Sequence, residues 1–284
     1  MEAIKRLVDK DNGENILTSE ASLIYGGNLS FPDPGESRPF TAVNFVTTLE
    51  GLTSFGLAGH QGGGDISGFN KQDTFIMGLL RALSDAVMVG ANTLRTEHEH
   101  LWTPDFISPE HSAVFAELRR GLGKKGNPRN MFVTASGKVL GGGAVIPAVF
   151  RTNGVMATIV TTEEGKAVAE SEFAGLGMRP EILAFGSGGK VDLRAMMEYL
   201  RKKMGIKILL IEGGSGFNGS VVDAGLYDEL FLTISPQIIG SRKESARPLF
   251  VSGFARTPET AIWHELVTSS VWGNYLYNRY RRKS

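Results

Sequence analysis

The segment LLIEGGSGFNGS, residues 209–220, runs from an apolar, strand-like stretch through an acid into a crowd of glycines. A strand, a glycine turn and a helix start leave free backbone N–H groups at a helix N-terminus. Those amides and the helix dipole both favour an anion there. Glycine lets a phosphate approach a backbone that a side chain would shield. The turn alone permits two readings, a phosphate seat or a tight connection. Gly214-Ser215-Gly216-Phe217-Asn218-Gly219 also spells G-x-G-x-x-G. The dinucleotide fingerprint of that spelling opens the first βαβ unit, with an acid at the end of the next strand. Here it comes late, and the next strand ends Ile234-Ser235-Pro236-Gln237. A P-loop is excluded, because no Gly-Lys-Ser/Thr follows.

Outward from the turn, strand and helix patterns alternate. Residues 40–49 are rich in β-branched and aromatic side chains and predict a strand. Residues 57–68 form a glycine-rich loop. Phe75, Ile76, Leu79, Leu80 and Leu83 recur at helical spacing within 69–84. Further strands are expected at 85–90, 131–136, 157–162, 181–186, 206–214 and 229–235. Helices are expected at 109–120, 192–203 and about 217–224. Two last strands, near 261–270 and 274–281, form an antiparallel hairpin around SVWG, residues 270–273. The alternation implies an α/β class with a mostly parallel sheet. The core begins at Arg38. Residues 1–37 read as an N-terminal extension and 38–284 as one domain.

Composition narrows the function. Of 284 residues 42% are hydrophobic, enough for a full core. Lys+Arg and Asp+Glu are both 30, so a general electrostatic footprint for nucleic acid is missing. The absence of cysteine removes disulfides, iron–sulfur clusters, thiolate zinc sites and a Cys nucleophile. Met1-Glu2-Ala3-Ile4-Lys5-Arg6 has no signal-peptide core, and no apolar run reaches the ~20 residues of a membrane span. A cytoplasmic protein without nucleic-acid or membrane partners is expected. EHEH, residues 97–100, lacks an evident third ligand, so no metal is assigned.

Five motifs together carry a resemblance. They are NFVTTLEG (44–51), ISGFNKQD (66–73), LLRALSDAVMVGANTLRTE (79–97), LLIEGGSGFNGSVVDAGLYDEL (209–230) and ISPQIIGS (234–241). In order and spacing, over about 38–281, the chain resembles the reductase domain of riboflavin biosynthesis, whose three-layer fold is that of dihydrofolate reductase. The resemblance implies NADPH bound across the carboxyl ends of the strands. It implies reduction of a pyrimidine ribosylamine 5′-phosphate, of the 5-amino-6-(5-phosphoribosylamino)uracil reductase type, and a homodimer through the sheet edge. By position, Gly214, Ser215, Gly216, Phe217, Asn218, Gly219 and Ser220 would line the cofactor phosphates. Thr47, Asp65, Thr93, Glu97 and Ser136 would also touch NADPH. Asn44, Arg81 and Leu101 match substrate-side positions. Glu212 or Glu50 would stabilise a protonated imine as hydride arrives.

The chain departs from the family at the substrate end. Glu50 replaces a usual Asp, Asn44 a frequent Lys, and Pro104 an Arg that often holds the substrate phosphate. Arg119, Arg120, Lys124, Lys125 and Arg129 lie in a polar insert at 104–129, as a substitute phosphate site or a solvated face. No zinc-deaminase signature is present. Reduction of dihydrofolate or another C=N bond, and nucleotide binding without catalysis, stay open as alternatives.

Overall fold

The computed structural model describes residues 2–33, 35–141, 145–244 and 246–283. Its strands are β1 (Lys5–Asp9), β2 (Phe40–Thr47), β3 (Ala86–Gly90), β4 (Arg129–Val133), β5 (Ala157–Thr161), β6 (Glu181–Ala184), β7 (Ile208–Ile211), β8 (Glu229–Ile234), β9 (His264–Trp272) and β10 (Tyr275–Arg282). They form one sheet ordered β1-β9-β10-β8-β2-β7-β3-β4-β5-β6. Every pairing from β8 across to β6 is parallel. The β10, β9 and β1 pairings are antiparallel. This is the expected mostly parallel sheet with an antiparallel C-terminal hairpin. Central β2 is buried along almost its whole length because both its faces are covered.

The helices are α1 (Ser19–Tyr25), α2 (Gly63–Ser67), α3 (Lys71–Leu83), α4 (Ala91–Thr96), α5 (Pro104–Ile107), α6 (Ser112–Gly121), α7 (Glu163–Ala174), α8 (Leu193–Lys202) and α9 (Ser215–Asp223). Side chains alternate across each strand, so neighbours feed opposite cores. Ala42, Val87, Val89, Phe132 and Leu210 pack with Phe75 and Leu79 of α3 and Phe115 of α6. Val43, Met88, Met131 and Ile211 pack with Met196, Met197 and Leu200 of α8 and Val221 of α9. Each such fully buried side chain contributes roughly 2 kcal/mol of transfer free energy. Among the described residues no helix is long and apolar enough to cross a membrane.

Three segments differ from the sequence expectation. The N-terminal segment, set apart as an extension, supplies an edge of the sheet: Lys5 pairs with Val271 and Asp9 with Thr268. Asp11 and Glu229, both buried, hold the Arg279 guanidinium between them. Helix α7 was not expected; it buries only Gly165, Ala169 and Phe173, a stripe one residue wide. Three of the five cations of the 104–129 insert, Arg119, Lys124 and Arg129, are scaffolding, while Arg120 and Lys125 are exposed. Arg119 is buried and donates to the carbonyls of Ala82 and Ser84, both at 2.9 Å, closing the C-terminus of α3. Lys124 pairs with Asp85 and Arg129 with Glu181.

Candidate active site

The site lies at the carboxyl ends of β2, β3, β4 and β7. The glycine turn after β7 is stitched to β3: Glu212 N–H donates to Met88 O at 3.1 Å, and Gly90 N–H to Gly213 O at 2.8 Å. Gly213 sits at φ 105°, and a Cβ there would stand 2.9 Å from the Phe45 ring. The Gly213–Gly214 peptide is cis. Gly214 then N-caps α9 with no side-chain hydrogen bond, so no side chain covers its first N–H groups. Thr93 Oγ1 lies 3.4 Å from the place of a Gly214 Cβ.

The seven turn residues divide by direction. Ser215 Oγ donates to Leu249 O, and Asn218 Nδ2 to Phe250 O at 3.3 Å. A Cβ on Gly219 would fall 1.8 Å from Ser252 O. These three fasten α9 to residues 249–252. Gly216, Phe217, Gly219 and Ser220 also line an open groove of about 920 Å³ that reaches Ala135, Lys190 and Arg194. That volume is in the range of ligand sites. An uncapped helix N-terminus beside such a groove fits the pyrophosphate and one nucleoside of a dinucleotide.

A charged cluster occupies the other side of the turn. Arg81 is 1% exposed, and its guanidinium is fully engaged. It donates to both Glu212 oxygens, to the carbonyls of Leu101 and Thr103, both at 3.2 Å, and to His100 Nε2 at 3.0 Å. The surface pairing of Arg81 with Asp85 that helical spacing also allows is not formed. Arg81 therefore holds Glu212 and the 101–103 strand-like segment instead of presenting free donors. His100 Nδ1 faces Glu97 Oε2 at 3.6 Å. Burial, reinforced by Arg81, drives the His100 imidazole well below its usual range. Burial pushes the Glu97 carboxyl up; Arg81 pulls against this and Glu212 adds to it.

The remaining expected residues are dispersed. Thr47 is buried at the end of β2, its carbonyl accepting from Ser235 N–H. Asp65 on α2 faces His60 at 3.2 Å. Ser136 is exposed beyond β4, 3.3 Å from Thr134 Oγ1. Leu101 packs on the core. Asn44 is buried and lines a small pocket of about 20 Å³ with Tyr25 and Arg279, apart from the groove. Glu50 accepts from the Ile239 and Gly240 amides at 2.7 and 2.8 Å. Desolvation pulls its carboxyl up, but the Thr48 hydroxyl and those amides outweigh it and hold it at about 2. Glu50 thus clamps two loops. Around the C-terminal hairpin, Tyr277 is core and Trp263 is 71% exposed. Among the described residues, no group of three or more metal-ligating side chains occurs.

Two groups escaped the sequence reading. Asp73, inside the quoted ISGFNKQD, is 6% exposed. Burial pushes its carboxyl up to about 6 against hydroxyl bonds from Thr233 and Ser67. His100 belongs to EHEH, whose residues the sequence offers only as an incomplete metal set. Its only signal was the adjacent Leu101-Trp102, which draws the ring against Trp102 and Phe106.

The model of the RibD C-terminal domain family matches residues 39–256. A 2,5-diamino-6-ribosylamino-4(3H)-pyrimidinone 5′-phosphate reductase of Methanothermobacter thermautotrophicus is 30% identical over 247 residues, 87% of this chain and 99% of that protein. One of the same name from Archaeoglobus fulgidus is 28% identical over 205 residues, 72% of this chain and 84% of that protein. Among solved structures, a pyrimidine reductase-like protein of Corynebacterium diphtheriae superposes with a TM-score of 0.67 at 20% identity, covering 94% of this chain and all of that one. Acinetobacter baumannii RibD gives 0.61 at 16% identity, covering 87% of this chain and 59% of that one.

Proposed function

The chain belongs to the RibD C-terminal domain family, and from that premise we propose that it is an NADPH-dependent reductase of a pyrimidine ribosylamine 5′-phosphate in riboflavin biosynthesis. The diaminopyrimidinone form is the first substrate of choice, because both relatives above are named for it. The observation that carries the reading is the uncapped glycine turn at α9, opening on one side to the groove and abutting the Arg81–Glu212 cluster on the other. When bound, the nicotinamide supplies the hydride.

The residues divide the remaining work. The α9 amides, with Thr93 beside them, take the pyrophosphate, and Phe217 and Ser220 flank the nucleoside in the groove. Thr47, Asp65 and Ser136 complete the proposed cofactor contacts. Arg81 fixes Glu212 at the reacting end, where its carboxylate raises the negative potential beside a protonated imine. Asn44 and Leu101 act on substrate only through the walls they support. The enzyme is proposed to work in the cytoplasm as a homodimer, a reading supported by exposed Ile238, Phe69 and Trp263; sedimentation velocity tests it.

The test is titration of the protein with NADPH and NADH by cofactor fluorescence, then a substrate screen with the diaminopyrimidinone, its uracil counterpart and dihydrofolate. Gly216→Val adds bulk at the groove, where a Cβ meets only Ser252 Oγ at 3.9 Å. It is expected to fold normally and weaken NADPH binding at least tenfold. Unchanged affinity removes the glycine turn as the phosphate seat. Tight NADPH binding with reduction of dihydrofolate alone replaces the substrate.

A further inference from the structure

Of the carboxyl groups of Glu50, Asp73, Glu97 and Glu212, three are committed within the protein. Both oxygens of Glu212 take hydrogen bonds from Arg81. Asp73 is enclosed against Thr233 and Ser67. Glu50 clamps the 239–240 loop from an exposed position. Glu97 differs. Its side chain is 29% exposed against 7% for Glu212. One oxygen faces His100 Nδ1; the other, Oε1, lies 3.1 Å from where a Cβ on Gly62 would be, beside the glycine turn that opens α2. A side chain at Gly62 would cover that oxygen.

The His100 tautomer follows from its partner. Arg81 has only donors, so His100 Nε2 accepts and the neutral ring carries its proton on Nδ1, toward Glu97. The charged and titratable groups facing Glu97 are then Arg81 of α3, Glu212 after β7, and neutral His100. This arrangement orients the carboxyl and leaves one oxygen free for a ligand.

We propose that Glu97, oriented by His100, is the acid that protonates the substrate nitrogen during reduction. The assignment rests on the reductase reading above. In the ring-opened substrate, C1′ takes up a hydride from the reduced nicotinamide. Glu97 delivers its proton to the imine nitrogen, giving the protonated imine that Glu212 stabilises, and as hydride reaches C1′ the C=N π pair becomes the lone pair of the neutral amine. C1′ is reduced, the nicotinamide is oxidised, and the Glu97 carboxylate regains a proton from water. Burial shifts the Glu97 carboxyl upward, the direction that favours a proton donor. Glu97 is the catalytic residue in this scheme, and His100 a positioning residue.

Three readouts test it. In the free protein, a ¹³C-carboxyl NMR resonance lost in Glu97→Gln is expected to titrate above the ordinary 4.5, and His100→Gln to move it. Titration at or below 4.5 overturns the proposal. In single-turnover hydride transfer, the wild-type rate is expected to fall as pH rises through that titration, with a solvent deuterium effect; a flat profile overturns it. Glu97→Gln, checked for native unfolding behaviour and NADPH affinity, is expected to lose about 100-fold in rate, with partial rescue in Glu97→Asp. A wild-type protein that transfers hydride while Glu97→Gln matches it refutes the acid role alone. A wild-type protein that binds nucleotide but reduces no ribosylaminopyrimidine refutes the reductase reading and this assignment with it.

Discussion

Replacing Arg81 by Met tests the charged cluster most directly. Met keeps the unbranched stem of the side chain and removes every donor. Glu212, 7% exposed, is then left without a partner, and the carbonyls of Leu101 and Thr103 lose theirs. Breaking one side of a buried ion pair costs about 3–5 kcal/mol. A chain of this size converts about 4 kcal/mol into a fall of roughly 10 °C in Tm. The companion Glu212→Gln leaves Arg81 with its two carbonyls and His100, so its cost is expected to be smaller. In the double variant no charge is stranded, and much of the Arg81→Met loss is expected to return. Urea unfolding of the four proteins, followed by tryptophan fluorescence and far-UV circular dichroism, gives the full cycle. A loss below about 1 kcal/mol for Arg81→Met, the behaviour of a surface helix residue, refutes the buried pair. Strict additivity in the double variant refutes the coupling between the two groups.

Two further outcomes follow from packing and burial. Asp73→Asn is expected to stabilise the protein at alkaline pH. The Asp73 carboxyl is raised from 3.8 to about 6 by burial, so its proton-bound form favours folding below 3.8, and that advantage disappears as pH rises through 6. The gap is worth up to about 3 kcal/mol at pH 8 and nothing at pH 3.5; urea midpoints that shift equally at both pH values contradict the burial argument. Gly219→Ala forces its methyl onto Ser252 O and is expected to cost about 2 kcal/mol, while Gly216→Ala is neutral or slightly stabilising. Equal melting temperatures for the two variants would remove the close contact of α9 with residues 249–252.

The strands were legible because parallel strands covered on both faces are written as continuous apolar runs. β3 and β7 show this plainly. α3 was legible through its stripe; the structure adds Asn70, whose side chain accepts from Asp73 N–H at 3.0 Å and fixes the helix start. β1 escaped because KRLVD alternates charge with two apolar residues and gains its place only from a partner far along the chain. α7 escaped because its buried face is built from Gly165 and Ala169, which leave almost no periodic signal. At the site, the glycine turn was visible, but the roles within it were not. Whether Gly219 serves a ligand or a neighbouring backbone depends on residues 249–252, more than thirty positions away in sequence. The same holds for Arg81, whose helical register offered Asp85 while the fold delivers Glu212.

The clasp of Asp11 on Arg279 also bears on how the molecule is assembled in time. The two groups are 268 positions apart. Closing so long a loop carries an entropic cost that local contacts never meet, and non-local pairings form late. During synthesis β1 must wait, unpaired, until β9 and β10 have left the ribosome. Until then β9 also lacks its outer neighbour, and a bare strand edge invites pairing with another chain. Lys5, Arg6 and Asp9 on β1 keep the waiting strand charged through that interval. The last step of folding is thus a capping step: one short, charged strand seals the open border of the sheet and turns a template for aggregation into a finished surface.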